Sequence, residues 1–110
     1  MSFKVVILNS AKLDLKALRD YVVTRFSQSV WLETSAQLKN TMNMLAVSPK
    51  SGAVPTEIEM LNLNDCRQVI CGMNRIIYEI RQEVVFVHIV VDVRRDLISL
   101  LTRRLLRSEA

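Results

Sequence analysis

The chain has 110 residues, half of them hydrophobic and 5% aromatic, and its 15 Lys and Arg against 11 Asp and Glu leave a net charge of +4. That length supports one core rather than two, so a single domain over residues 1–110 is expected. The apolar content excludes long disorder, and two Gly, two Pro and two Cys exclude collagen-like, linker-rich and disulfide-scaffold classes.

Phe3 to Leu8 (FKVVIL) reads as a first strand. Asn9 or Ser10 then offers a side-chain oxygen to cap a helix. Ala11, Leu15, Leu18, Val22 and Phe26 follow at spacings of four and three, one apolar stripe. Ser27 to Ser29 interrupt it. A second stripe, Trp31, Ser35, Leu38, Met42 and Leu45, ends before Pro49. Two amphipathic helices joined by a short polar link predict an antiparallel helical hairpin. Met42 and Met44 read as core filler.

Ser48 to Pro55 (SPKSGAVP) is the only Pro/Gly cluster and marks the change from helix to sheet. Strands are expected at Asp65 to Cys71, Arg75 to Ile80 and Val84 to Val93, with Glu57 to Leu63 as an added edge. Gly72-Met73-Asn74 makes the first tight turn and Arg81-Gln82-Glu83 the second. Val84 to Val93 is apolar at both parities, which predicts a central strand covered on both faces. Asp96 can cap a last helix whose Leu97, Leu100, Leu101 and Leu105 face inward, with Arg103, Arg104 and Arg107 near its C-terminus. The order gives an α+β fold: a small antiparallel sheet packed by an N-terminal helical hairpin, with a C-terminal helix.

No stretch reaches the roughly 18 uncharged apolar residues of a membrane span, and the N-terminal apolar run is too short for a signal peptide, so a cytoplasmic protein with no membrane partner is expected. Cys66 and Cys71 lie five apart in one strand, an odd offset that puts them on opposite faces and out of reach of a disulfide. Two thiols without clustered His make a poor zinc site, so no metal and no cofactor is expected.

Every cation after residue 65 is Arg: Arg67, Arg75, Arg81, Arg94, Arg95, Arg103, Arg104 and Arg107. The planar guanidinium fork suits phosphate and carboxylate, so a basic face for nucleic acid or an acidic partner competes with a plain solvated surface. Catalytic constellations are scarce. There is no phosphate-cradling glycine loop and no Ser/His/Asp order. His88, the only histidine, sits mid-strand and reads as a core residue with one hydrogen-bonded nitrogen. Asp92 shares its parity but lies about 13 Å along an extended strand, too far to pair with it.

Several segments in order carry a family resemblance: VVILNSAKLDLKAL near the start, Ser48-Pro49-Lys50-Ser51-Gly52, Asn74 to Ile80 (NRIIYEI), and Val90 to Leu97 (VVDVRRDL) running into a leucine-rich basic helix. Together they resemble toxins of the RelE/ParE superfamily, the toxic halves of bacterial type II toxin–antitoxin pairs. RelE-like members cut messenger RNA on the ribosome with basic sheet residues and often a C-terminal Tyr or His. ParE-like members share the fold and poison DNA gyrase. Asp92-Val93 before the two arginines, and a last helix without Tyr, are closer to the ParE branch.

The resemblance implies a cognate antitoxin as partner, with gyrase as target and the ribosome with mRNA as the alternative. A non-toxic interaction module of the same fold is a further alternative, and a homodimer of the free chain a further assembly. An RNA-cleaving site would draw on Arg67, Arg75 and Arg95, converging within roughly 10 Å on a phosphate-sized cleft. Target contacts are expected from Arg67, Arg75, Arg94, Arg95, Arg103, Arg104 and Arg107. The antitoxin is expected in an exposed apolar groove on the hairpin formed by Leu18, Val22, Leu38 and Met42.

Overall fold

The computed structural model describes residues 2–54 and 66–107. Strand β1 (Lys4–Ile7) leads directly into helix α1 (Asn9–Arg25). Leu8 is the N-cap and its side chain caps nothing, so the expected cap at Asn9 or Ser10 is not the one used. The Leu8 N–H is still bonded to the Val87 carbonyl at 3.1 Å, so the strand runs to the foot of the helix and leaves no room for a capping turn. Helix α2 (Gln28–Val47) starts from Ser27, whose hydroxyl accepts the Val30 N–H at 3.1 Å. A 3-10 turn (Pro49–Ser51) ends the hairpin. Then come β2 (Cys66–Cys71), β3 (Asn74–Arg81), β4 (Val84–Asp92) and helix α3 (Leu97–Arg107). The edge strand expected at Glu57 to Leu63 lies outside the described residues.

The α+β class holds, but the sheet is mixed rather than wholly antiparallel. Its order is β1-β4-β3-β2, with β1 parallel to β4. Two-residue turns force β2, β3 and β4 into antiparallel pairing, whereas β1 joins the sheet only through the helical hairpin and no turn fixes its direction. Gly72 takes a φ of +62°, the left-handed conformation that the first position of such a turn demands.

The core lies on both sides of this sheet. On one face Ile76, Val87 and Val90 pack against Ala11, Leu38 and Met42, while Leu45 covers Tyr78 and Val85. On the other, Ile77, Ile89 and Val91 meet Leu97, Leu100 and Leu101 of α3. β4 is therefore central and covered twice, as its apolar run predicts. Phe26 and Met44 fall outside the core, 65% and 68% exposed: Phe26 caps α1 beyond the reach of the sheet, and Met44 lies on the outer face of α2. Cys66 packs into the α3-side cluster and Cys71 into the hairpin-side cluster, both as free thiols, in accord with their odd spacing.

Candidate functional site

Arg67 and Arg75 point from opposite faces of the sheet. Arg67 pairs in register with Tyr78 and so lies on the hairpin face, where its Nη1 donates to the carbonyls of Gly52 at 3.0 Å and Lys50 at 3.5 Å. Arg75 stands three residues before Tyr78 on β3, which turns it to the α3 face. There it donates to Gln68 Oε1 and to the Val93 carbonyl, each at 3.3 Å. The convergence of Arg67, Arg75 and Arg95 on one phosphate cleft, which an RNA-cleaving site would require, is not built, because Arg67 and Arg75 lie on opposite faces. The cause is one residue of register. A three-residue turn through Asn74 would set both arginines on one face, but Asn74 is already in the strand, paired with Cys71.

His88 is not a core residue. Tyr78 pairs with Val87 and Ile77 with Ile89, so His88 is the extra residue of a β-bulge. Its half-exposed ring sets Nε2 2.9 Å from Glu79 Oε1, and Arg81 binds the same carboxylate at 2.9 Å while lying 5.1 Å over the Phe86 ring. Burial works against ionisation of Glu79, but the hydrogen bonds from Arg81 and His88 outweigh it and hold the carboxyl below the usual range. Both sides of this carboxylate are already taken, so it braces the bulge.

The open site lies on the hairpin side, between α1 and the outer edge of β4. β1 ends at Ile7 opposite Val87, and β4 runs five residues farther. Side chains of α1 serve that exposed edge in place of a strand. Ser10 donates to the His88 carbonyl at 3.4 Å, and Asp14 Oδ2 accepts the Val90 N–H at 3.0 Å. Beyond them opens a groove of about 390 Å³ lined by Asp14, Ala17, Leu18, Tyr21, Val90 and Val91, with Asp92, Arg94 and Arg95 at its end.

Charge in the groove is already sorted. Arg94 grips Asp92 with two bonds, Nε to Oδ1 at 2.9 Å and Nη2 to Oδ2 at 3.0 Å, and these hydrogen bonds hold the Asp92 carboxyl below its ordinary value. Arg95 is exposed beside them, with no hydrogen bond or ion pair from its guanidinium among the described residues. On the other wall, Arg25 stacks over the Tyr21 ring at 5.8 Å, and Tyr21 meets Phe26 edge to face.

The groove expected over Leu18, Val22, Leu38 and Met42 does not exist as drawn. Val22, Leu38 and Met42 are 7%, 2% and 6% exposed, because a helix has one dominant apolar stripe and the sheet claims it. Leu18 alone of the four lines an open surface. The signal missed was the shortness of β1 against β4, which leaves a stretch of strand edge facing α1.

Asp96 caps α3 as expected, its carboxylate accepting from the Ser99 N–H at 3.2 Å and the Ser99 hydroxyl at 2.8 Å. Arg103 projects to solvent, while the side chains of Arg104 and Arg107 lie outside the described residues. Among the described residues no three His, Cys, Asp or Glu side chains are grouped to hold a metal ion, and no helix is long and apolar enough to cross a membrane.

Comparison with known proteins gives the same architecture a history. Residues 5–97 match the family profile described as the ParE toxin of the type II toxin–antitoxin system, parDE. Among solved structures, the chromosomal ParDE TA system from P. aeruginosa superposes with a TM-score of 0.70 at 14% identity, covering 84% of this chain and 98% of that one. A mutant of the E. coli toxin RelE in the free state gives 0.61 at 15% identity, covering 94% and 98%. No curated protein matches the sequence at a significant level.

Proposed function

Since the chain belongs to the ParE toxin family of type II toxin–antitoxin systems, we propose that it is the toxin of such a pair, silenced by a bound cognate antitoxin and, when free, arresting growth by poisoning DNA gyrase. The observation that carries the choice of target is the fate of the sheet arginines. Arg67 donates from Nη1 to backbone carbonyls on the hairpin face, and Arg75 donates from its Nη atoms to Gln68 Oε1 and the Val93 carbonyl on the α3 face, so the two do not share one phosphate site. Arg94 and Arg95 are exposed where β4 passes towards α3, and Arg103 is exposed farther along α3, continued in sequence by Arg104 and Arg107. These arginines suit contact with an acidic surface of gyrase or with DNA held by it.

Induced expression without antitoxin tests the reading. Double-strand breaks and an SOS response, without codon-positioned cuts in messenger RNA, are the expected result. Robust ribosome-dependent cleavage overturns gyrase as the target. Growth unaffected by a folded chain would leave an interaction module of toxin fold.

A further inference from the structure

We propose that the β2–β3 turn, through Ile70 and Met73, is the apolar anchor by which the free chain holds the gyrase protein, seated in an apolar depression of an acidic surface. This rests on the gyrase reading and makes the contact one with the protein rather than with the DNA it carries. Met73 takes the second position of the turn that Gly72 opens, where Asn, Asp or Ser closes the same turn and stays solvated. It is 57% exposed, and Ile70, three residues before it, is 53% exposed. Ile70 pairs with Arg75, so its side chain stands on the α3 face, but α3 packs on Ile77, Ile89 and Val91 and leaves it uncovered.

The backbone at Ile70 is open too. Gln68 exchanges both of its outward bonds with Ala53, its N–H donating at 2.8 Å and its carbonyl accepting at 3.1 Å. Ile70 shares that parity on the edge strand, so its N–H and C=O face away from β3, without a partner among the described residues. From Val69 to Cys71 the edge has none of the Lys, Pro or bulge that keeps a bare strand from pairing.

Charge selects the kind of surface that fits. The Val93 N–H donates to the Met73 carbonyl at 2.9 Å, and Asn74 pairs with Asp92, which sets this turn against the one carrying Arg94 and Arg95. Arg94 and Asp92 cancel in their ion pair, and Arg75 and Arg95 against Asp96 leave the surroundings net positive. Contacts to phosphate use the arginines and leave Ile70 and Met73 idle. An apolar depression rimmed by carboxylates uses both, the side chains for affinity and the charge for orientation.

The test is titration of the full chain into purified gyrase free of DNA. Ile70→Thr keeps the β-branched shape that suits a strand, and Met73→Ser keeps a residue common in turns. Each is expected to weaken binding at least tenfold with the melting temperature unchanged, and Arg95→Glu at least threefold. Leu13→Ser and Leu32→Ser, at exposed apolar positions on the helical hairpin, should bind within twofold of the parent. Turn variants that bind within twofold overturn the anchor, and an Arg95→Glu chain that does so overturns the acidic rim. A parent that associates with gyrase only when a duplex is present overturns the choice of protein over DNA. A parent that binds in neither condition and leaves supercoiling untouched overturns the gyrase reading and the anchor with it, a result distinct from a gyrase complex indifferent to the turn.

Discussion

The Tyr78 hydroxyl ties the sheet to the end of the helical hairpin. It donates to the Pro49 carbonyl at 2.7 Å and accepts the Gly52 N–H at 3.1 Å, from a ring with no exposed surface. Gly52 is required for this approach, since a Cβ there would overlap both the Tyr78 oxygen and the Gln68 carbonyl. Tyr78→Phe leaves two backbone groups without their partner and should cost about 1–3 kcal/mol. Gly52→Ala should cost about 2 kcal/mol or more, because the clash is with backbone as well as side chain. Denaturant unfolding of the two variants measures both. Glu79 gives a different signature. Its folded pKa is depressed, so its stabilisation is complete above the ordinary carboxylate range and is lost as pH falls through the folded value. Arg81 is 64% exposed and solvent screens its share, so Glu79→Gln should cost about 1 kcal/mol at neutral pH. That difference should shrink as the pH drops below about 4, which paired denaturation curves against pH will show.

At the scale of elements, α3 separates stability from contact. Leu97, Leu100 and Leu101 bury themselves on Ile77, Ile89 and Val91, while Arg103 looks outward. A cation near a helix C-terminus gains about 0.3–1 kcal/mol, so replacing Arg103, Arg104 and Arg107 by Ala together should move the melting temperature by only a few degrees. Toxicity should fall sharply if these side chains meet the target, and an unchanged killing rate would shift the contact to Arg94 and Arg95. Elements of this kind were legible in the sequence because their signals are periodic: the two hairpin stripes, the turn at Gly72 and the cap at Asp96 all appear where spacing put them. What spacing could not carry was register. One residue at Asn74 decided the face of Arg75, one extra residue at His88 took it out of the core, and the four-residue length of β1 created the groove. These depend on pairing between segments distant in the chain, which a local pattern does not contain.

For the molecule as a whole, the structural features divide by side and by end. The hairpin face holds the groove, the α3 face holds the braced Glu79–His88–Arg81 cluster, and Arg94 and Arg95 are exposed where β4 passes into α3. A net charge of +4 should draw an acidic protein partner by long-range attraction. The association rate should therefore fall several-fold or more between low and moderate salt, with the dissociation rate changing less, as stopped-flow mixing can measure.

The parallel pairing of β1 with β4 has a consequence for how the chain leaves the ribosome. Lys4 meets Val84, eighty residues on, so β1 waits for β4 before the two can pair. Synthesis proceeds at about 5–20 residues per second, and the local meander of β2, β3 and β4 cannot substitute for the missing partner at the other edge. An unfinished nascent chain thus carries the hairpin's apolar stripe without the surface that covers it, and the groove beside β4 does not yet exist. The end of the sheet that carries Arg94 and Arg95 is therefore not assembled until β4 has emerged. Ribosome-arrested chains stopped before Val84 emerges should be digested readily by protease, and those extended past α3 should resist it.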